Sequence, residues 1–242
     1  MKRVMIFSII GMLFLSVVCV QGFGQTVDEI LAKMIEAQGG KKALEGVNDT
    51  TFSGTMLMVP MNATGSITMY QKEPNKMRLN GEIMGMTFVQ AFDGTTAWGT
   101  DPQTGNTQEM SEKASPEFKR QALGWGALIN PKKFGLTYTF KGKEKINDTD
   151  YLVLVQTFSD GHNVTLYIDP ATYLVYKTKS TTLNQLEVEV ETESIQGDYK
   201  KVEGIVMPHS ITIYQGGQEY MKITIQEITF NSDLEDSFFK MQ

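Results

Sequence analysis

The chain is poor in the residue types on which metal and redox chemistry depends. Its 242 residues include one cysteine, Cys19, and two histidines, His162 and His209. A disulfide needs two cysteines, and a dedicated zinc site usually takes several Cys or His ligands that converge in the fold. The sequence therefore excludes an internal disulfide framework and disfavours a zinc centre, and we expect no cofactor.

Motifs for the common catalytic and nucleotide sites are also missing. The sequence contains no His-Glu-x-x-His, no Gly-x-x-x-x-Gly-Lys, no Gly-x-Ser-x-Gly and no dinucleotide-binding glycine pattern. A catalytic triad assembled from distant residues stays open, but nothing local nominates one. We therefore expect no enzyme, and a hydrolase with a lidded apolar site is the least favoured interpretation.

Positive charge is in deficit. The chain carries 22 Lys and Arg against 28 Asp and Glu, for a net charge of −6. Without Lys2 and Arg3 the balance is 20 against 28, or −8. An acidic body of this kind argues against nucleic acid as a partner and against electrostatic docking to anionic lipid.

Long hydrophobic runs occur at one place, the start of the chain. Lys2 and Arg3 precede an apolar run from Val4 to Val20, and Gly22-Phe23-Gly24 places small residues before Gln25. This pattern is typical of a secretory leader over residues 1–24, which predicts export to the periplasm and a single mature domain over 25–242. An uncleaved anchor is the alternative, and Val18 before Cys19 disfavours lipidation.

What the chain does have is alternation. In the stretch from Leu186 to Glu193, apolar residues and Thr192 alternate with four glutamates. Successive side chains of a strand point to opposite faces, so this period predicts a strand with one dry and one wet face. The glutamates could be a calcium comb, but a flat strand does not wrap a cation, so a solvated face is favoured.

Similar signals fill most of the chain after Asn48. Tight-turn pairs such as Asp93-Gly94 and Asp160-Gly161 separate them. The segments with strand signals, which we count as about eleven strands, are 51–59, 64–72, 76–83, 86–92, 95–100, 136–141, 143–146, 151–158, 163–168, 173–181, 186–196, 205–215 and 219–230.

Helical signals are confined to two places. Thr26 to Glu29 reads as a capping box, followed by an apolar stripe that ends at Gly39-Gly40, and Lys41–Glu45 offers one more turn. Ser115-Pro116-Glu117 begins a mid-chain helix that Asn130-Pro131 ends. The predicted fold is therefore mainly β, within the α+β class.

The two helices are too small to cover such a sheet. About eleven strands at ~4.8 Å spacing present a face on the order of 1,000 Å², and two helices shade about 400 Å² of it. A sheet of this size curls. It either closes into a filled barrel or forms a half-open barrel that holds an apolar guest, and composition does not separate the two.

Methionine favours the guest. Of 15 methionines, three lie in the leader, and seven cluster in the first predicted hairpins. Methionine is flexible and polarisable, which suits an adaptable apolar surface, although it also fills irregular cores. The tryptophans likewise fit either a cleft or a core. The residues predicted to line a lipid-binding cavity are Met56, Met58, Ile67, Met69, Trp98, Leu123, Trp125, Leu128, Leu186, Val188, Val190, Ile211 and Ile213.

The order of these signals resembles a known family, the bacterial periplasmic outer-membrane lipoprotein-sorting proteins of the LolA-like superfamily. The match runs over nearly all of the mature chain. The stretches that carry it are Glu36 to Gly40, Ala91 to Trp98, Tyr167 to Val175, Asp198 to Pro208, and Asn231 to Phe239.

The resemblance implies a curled antiparallel sheet that forms an incomplete barrel, with the N-terminal and mid-chain helices as a lid over an apolar cavity. Members carry lipoprotein acyl chains or other lipids across the periplasm without a metal or nucleotide. They are loaded by an inner-membrane transporter and unload to an outer-membrane receptor. It therefore implies a lipid carrier or chaperone here, with a lipid-sensing or protein-interaction module as the alternative.

Overall fold

A computed structural model of the chain describes residues 25–101, 104–184 and 186–241. The predicted leader, residues 1–24, lies outside the described residues. Within them, every helix is too short or too polar to cross a lipid bilayer.

Four α-helices form where the sequence places helical signals. Helix α1 begins after Thr26, whose hydroxyl accepts a hydrogen bond from the Glu29 amide at 3.3 Å, while the Glu29 carboxylate accepts from the Thr26 amide at 2.9 Å. This confirms the capping box. The helices are α1 Val27–Ala37, α2 Lys41–Glu45, α3 Ser115–Gln121 and α4 Trp125–Ile129.

The strands form one antiparallel sheet. The described residues contribute thirteen strands: β1 Asp49–Met58, β2 Ala63–Lys72, β3 Lys76–Ile83, β4 Met86–Phe92, β5 Ala97–Thr100, β6 Thr107–Glu109, β7 Thr137–Ile146, β8 Thr149–Thr157, β9 Asn163–Ile168, β10 Val175–Leu183, β11 Glu189–Val202, β12 Ile205–Gln215 and β13 Gln218–Phe230.

Two sequence predictions need correction here. The count of about eleven strands is too low, in part because the short edge strand β6 has no alternating signal of its own. Strand β11 begins at Glu189 and not at Leu186, because the Asn184 side chain accepts hydrogen bonds from the amides of Leu186 and Val188 at 2.9 and 3.0 Å. Those bonds fold the alternating stretch into a turn at its start.

The sheet is built from two meanders. Strands β1 to β6 run outward in sequence order, strands β7 to β13 run inward, and β1 pairs with β13 where the two halves meet. Strands β6 and β7 are left as free edges, so the sheet is not closed into a barrel. Irregular registers at Ser53/Gly54 and Phe140/Gly142 add local bends.

This topology explains why helices lie over the sheet. The connection between β6 and β7 joins the two opposite free edges, so it has to cross one whole face. Helices α3 and α4 belong to this connection. The face that they cross is called the concave face below, and the connection from Met110 to Leu136 is called the lid.

Three hydrophobic clusters fill much of the concave side. Helix α1 packs on strands β8 and β9 through Ile30 and Leu31, which contact Leu154 and Ile168. Helix α4 contributes Trp125 and Ile129 to the cluster at the centre of the sheet. Helix α3 contributes Phe118, beside Met77 and Phe92. These contacts hold the lid against both halves of the sheet.

The opposite, convex face is stabilised differently. Glu191 and Glu193 lie there as predicted, and lysines of β10 pair with them, with Lys179 2.9 Å from Glu191 and Lys177 3.2 Å from Glu193. The C-terminal segment also packs on this face, where the indole nitrogen of Trp98 donates to the Phe239 carbonyl at 2.8 Å. The second half of the glutamate row is therefore a surface paired with lysines, whereas Glu187 and Glu189 border the cavities described below.

Candidate functional site

A cavity of about 990 Å³ lies between the lid and the concave face, beneath helix α3. It is open to solvent on one side, and its volume falls in the range of about 300–1,000 Å³ that is usual for small-molecule sites. Ala114, Phe118 and Gln121 line it from the lid. The sheet therefore keeps an uncovered area where the sequence analysis expected one, under the segment that begins at Ser115.

The walls of this cavity are of two kinds. Apolar side chains form one part: Met110, Ala114 and Phe118 from the lid, Leu183 from β10, and Ile213 and Met221 from β12 and β13. The rest is polar and includes hydroxyls, amides and carboxylates. An entirely apolar cavity, as the family resemblance implied, is therefore not what the chain forms.

Strand register explains the polar floor. Thr192 pairs with Ser180 on β10 and with Gln215 on β12, and residues directly opposite in an antiparallel pair point to the same face. The hydroxyls of Thr182 and Thr192 lie 2.6 Å apart, one donating to the other. The middle of the concave face therefore presents a row of uncharged hydrogen-bonding groups.

The lid is fastened to the sheet at two ends. At the β2–β3 turn, the half-buried Glu73 carboxylate accepts hydrogen bonds from the amides of Trp125, at 2.5 Å, and Gly126, at 3.3 Å. The Gln71 side chain donates to the Leu123 carbonyl at 2.9 Å. At the far end, Arg120 lies 2.5 Å from Asp160 in the β8–β9 turn. We call these the Glu73 latch and the Arg120 latch.

The two latch acids have opposite pKa shifts. Burial raises the pKa of Glu73, outweighing the lowering by its two backbone hydrogen bonds. Burial also acts to raise the pKa of Asp160, but the His162 amide and the Arg120 guanidinium together bring it below its usual value. Glu73 is thus the latch carboxylate that protonates more readily.

A second cavity of about 560 Å³ adjoins the first and shares Glu117, Thr182 and Leu183 with it. Glu117 accepts hydrogen bonds from the Leu183 amide at 3.2 Å and from the Gln121 side chain at 3.1 Å. Helix α3 therefore forms a partition between two connected spaces.

Of the thirteen predicted cavity residues, Ile213 alone lines the larger cavity. The others are packed under the helices, half-buried, or outside the cavity. Met56 and Met58 are buried, and Met69, Leu128, Trp125 and Ile211 pack in the clusters under the helices. Ile67, Leu123 and Val190 are half-buried, and strand pairing puts Ile67 and Val190 on the concave face. The helices thus fill most of the apolar face that the sequence suggested for a guest.

Three of the predicted residues lie outside the cavity lining, which corrects the prediction. Trp98 points to the convex face because its neighbour Ala97 occupies the concave side, and the C-terminal segment buries it. Leu186 and Val188 are 82% and 53% exposed in the β10–β11 turn. An alternating pattern does not reveal where a strand begins, and strand parity does not reveal which face a lid covers.

Sequence reasoning missed the polar floor and the Glu73 latch. Thr178, Ser180 and Thr182 alternate along β10, and this alternation was a readable signal of one polar face. Glu73 gave no signal, because its partners are backbone amides 52 and 53 residues further along the chain.

Exposed apolar side chains lie beside the cavity, along the edge of the sheet where the strands end in turns. This edge is distinct from the free edge strands β6 and β7. Met61, Met84 and Leu186 lie in the β1–β2, β3–β4 and β10–β11 turns and are 56%, 69% and 82% exposed, with Met86 and Val188 beside them. Antiparallel pairing from Met58 with Met221 through to Thr192 with Gln215 puts these turns on one edge. The cavity reaches this edge through Asn184 and Glu187. We call the five residues the apolar rim.

The histidines lie apart from the cavity floor. His209 is buried, with Nδ1 3.1 Å from the Met207 carbonyl, and His162 follows the turn that holds Asp160. The described residues include no group of three or more His, Asp or Glu placed to hold a metal ion.

Comparisons with solved structures identify the fold as LolA-like. A LolA superfamily protein from Nitrosomonas europaea aligns over 90% of this chain and 98% of its own, with 14% identity and a TM-score of 0.59. An outer membrane lipoprotein-sorting domain from Vibrio parahaemolyticus aligns over 87% and 94%, with 16% identity and a TM-score of 0.58. A DUF1329 family protein from Desulfovibrio piger aligns over 88% and 97%, with 12% identity and a TM-score of 0.58. Neither a protein-family model nor a curated protein sequence matches the chain.

Proposed function

We propose that the chain is a periplasmic carrier or chaperone that shields the acyl chain of a lipid or lipidated protein beneath its lid, without catalysing a reaction. The observation that carries this proposal is the open cavity of about 990 Å³ under helix α3, on a LolA-like fold. The predicted leader supports export, after which residues 25–242 would act as one domain.

The driving force would be removal of the acyl chain from water. Each buried methylene contributes about 0.8 kcal/mol, so a long acyl chain gains on the order of 10 kcal/mol before the cost of ordering it. Met110, Phe118, Ile213 and Met221 provide the apolar wall for the first part of such a chain. Movement of the lid would extend the contact by uncovering the concave clusters below α3 and α4.

The apolar rim supports docking as part of the same function. Exposed large apolar side chains on several turns of one edge are typical of an interaction surface. Their position beside the cavity suits a face that meets the donor and the acceptor of the cargo. In the family resemblance these are an inner-membrane transporter and an outer-membrane receptor.

Lipid extraction and native mass spectrometry of the full chain, expressed with its own leader in its native host, test the proposal. A carrier retains a lipid or an acylated protein in the folded state. Release of a soluble hydrolysis product would favour the lidded hydrolase. An empty protein that also fails to take up added lipid would refute the carrier function and leave the interaction module, which the apolar rim favours.

A further inference from the structure

The charged groups that line the larger cavity are all of one sign. Asp101, Glu117 and Glu187 are among its described lining residues, and none of those residues is Lys, Arg or His. Glu109 also borders the cavity, but its pairing with Trp98 turns its side chain to the convex face. The nearby cations Lys113 and Arg120 line the neighbouring cavity. Lys113 donates to the Glu187 carbonyl oxygen, and Arg120 pairs with Asp160. The cavity therefore offers an anionic head group no counter-charge among the residues that line it.

The uncharged polar groups of the lining favour hydrogen bonding to a ligand. Thr182 and Thr192 present hydroxyls on the floor, and Gln215 presents an amide beside them. Together with the carboxylates, these groups supply more acceptors than donors, because a carboxylate accepts only and a hydroxyl or amide does both. The complementary ligand is one that brings donors of its own.

The apolar and polar walls lie side by side in the same space. Ser194 on β11 pairs with Ile213 on β12, so the boundary between the polar wall and the apolar wall lies between these two neighbouring strands. Met221 pairs with Ile213 on the other side and widens the apolar part. A ligand that fits both walls has a hydrocarbon part and a polar part.

We infer that the cavity takes an amphiphile whose head group carries no negative charge and is rich in hydrogen-bond donors, such as a polyol or an ammonium group. This inference rests on the proposed function, since it names the class of cargo for the same site. The acyl chain lies against Ile213 and Met221, and the head lies over Thr182 and Thr192. An anionic head at this position shares the cavity with the carboxylates of Asp101, Glu117 and Glu187 and is rejected by like-charge repulsion.

Binding of three probes with the same saturated chain tests the inference. Monolauroylglycerol has a neutral diol head, laurylamine is cationic at neutral pH, and laurate is anionic. Each is titrated below its aggregation concentration into the full chain purified after export and delipidated. We expect the diol and the amine to bind at least about tenfold more tightly than laurate at low salt, with the gap between amine and laurate narrowing as salt rises.

Two variants connect this preference to the named residues. Glu117→Gln combined with Glu187→Gln removes two negative charges from the cavity lining, while the amide oxygen of the glutamine introduced in place of Glu117 can still accept the hydrogen bond from the Leu183 amide. This double variant is expected to narrow the difference in affinity between monolauroylglycerol and laurate several-fold. Glu227→Gln, an exposed change on strand β13 that pairs with Ser53 on the convex side, is the matched control and leaves the gap unchanged. Thr192→Val weakens monolauroylglycerol several-fold, and Thr224→Val, also exposed on β13 outside the cavity lining, does not.

The outcomes separate this inference from the proposed function. Laurate binding as tightly as the other two probes would overturn the inference while leaving a carrier of acyl chains in place. An unchanged gap in the doubly neutralised variant would also overturn it, because the preference would then come from elsewhere. If no probe binds, and the protein from its native host holds no lipid, both the inference and the carrier function are refuted.

Discussion

At the residue scale, the contacts of Glu73 explain why two glycines occur in the mid-chain helical segment, where glycine is unfavourable. In the sequence, Gly124 and Gly126 weaken the mid-chain helix. In the structure, a Cβ on Gly124 would lie 2.0 Å from the Glu73 carboxylate, and one on Gly126 would lie 3.3 Å from it. The missing side chains let the carboxylate reach two backbone amides at the start of α4. The break in the helix is therefore part of the Glu73 latch.

Replacing Glu73 tests this latch. We expect Glu73→Ala to lower the free energy of unfolding by about 1–3 kcal/mol, because two amides lose a half-buried acceptor. Chemical denaturation measures the change. Glu36→Ala, an exposed substitution on helix α1, is the control. Equal stability of the two variants would contradict the role assigned to Glu73.

The raised pKa of Glu73 also predicts a pH dependence. A carboxyl group whose folded pKa lies above its unfolded value binds its proton more tightly in the folded state. Stability from protonated Glu73 is then fully present below about pH 4.5, the usual value, and is lost as the pH rises through the raised pKa. Glu73→Gln cannot titrate, so unfolding measured across this range should show the wild type losing stability relative to this variant as pH rises. A constant difference would rule out the shift.

The two tryptophans give a residue-scale reporter of which face binds cargo. Trp125 lies in the lid, whereas Trp98 is buried on the convex face against Phe239. The chain has 2 tryptophans, so Trp98→Phe and Trp125→Phe each leave a single emitter. On adding ligand, we expect the emission of Trp125 to shift and that of Trp98 to stay constant. An emission shift from Trp98 alone would place the binding site on the convex face and contradict the proposed site.

At the element scale, local sequence patterns predicted the helices and strands well, but they did not predict the order in which the strands pair. The helix cap at Thr26, the start of helix α3 near Ser115 and most strands could be read from period and turn chemistry, because these signals are local. Ser115 itself is not the cap, since α3 begins at Ser115 after Ala114 and no side chain caps it. The order of the sheet could not, since the pairing of β1 with β13 joins residues more than 150 positions apart. That pairing leaves β6 and β7 as edges and forces the lid across the concave face. The mixed polarity of the cavity follows from it.

The Arg120 latch gives a prediction at the scale of helix α3. Arg120→Ala removes the ion pair with Asp160, which joins α3 to the β8–β9 turn. Partly exposed pairs contribute about 0.2–1 kcal/mol, so we expect the rate of ligand release to rise by a factor of about 1.5 to five. Stopped-flow displacement of a bound fluorescent lipid measures the rate.

A matched control keeps this test specific. Lys200 pairs with Asp198 at 2.7 Å on strand β11, away from the lid, so Lys200→Ala removes an ion pair without touching α3. Since the pKa of Asp160 lies below its usual value, the latch should persist as the pH falls toward 4. Unchanged release from Arg120→Ala would mean that α3 does not gate the cavity.

The whole molecule combines an acidic body with an apolar edge. The turn that carries Met84 is costly to form, because Met84 has φ +53° and Gly85 has φ +77°, a turn in which Asn-Gly is the preferred pair. A side chain such as Met in this left-handed conformation costs about 1 kcal/mol. Despite this cost, Met84 occupies the turn and is exposed at the edge that the cavity reaches. Stability alone gives no reason for an exposed methionine in this turn, whereas the proposed docking at this edge does.

Removing the apolar rim should therefore slow transfer without weakening binding. In the combined variant Met61→Ser, Met84→Ser and Leu186→Ser, we expect affinity for a soluble acyl probe to match the wild type, since none of the three lines the larger cavity. Transfer of a fluorescent lipid from the protein to outer-membrane vesicles of the native host should fall about tenfold, as expected when apolar anchors of an interface are removed. Met241→Ser, which changes an exposed methionine at the C-terminus outside the rim, should leave both the affinity and the transfer rate unchanged.

The dependence of the transfer rate on vesicle concentration shows how cargo leaves. A wild-type rate that rises with vesicle concentration, together with a variant rate that does not, would mean that cargo leaves during contact at this edge. Equal transfer by the two proteins would mean that the lid releases cargo into solution and that the rim has another role.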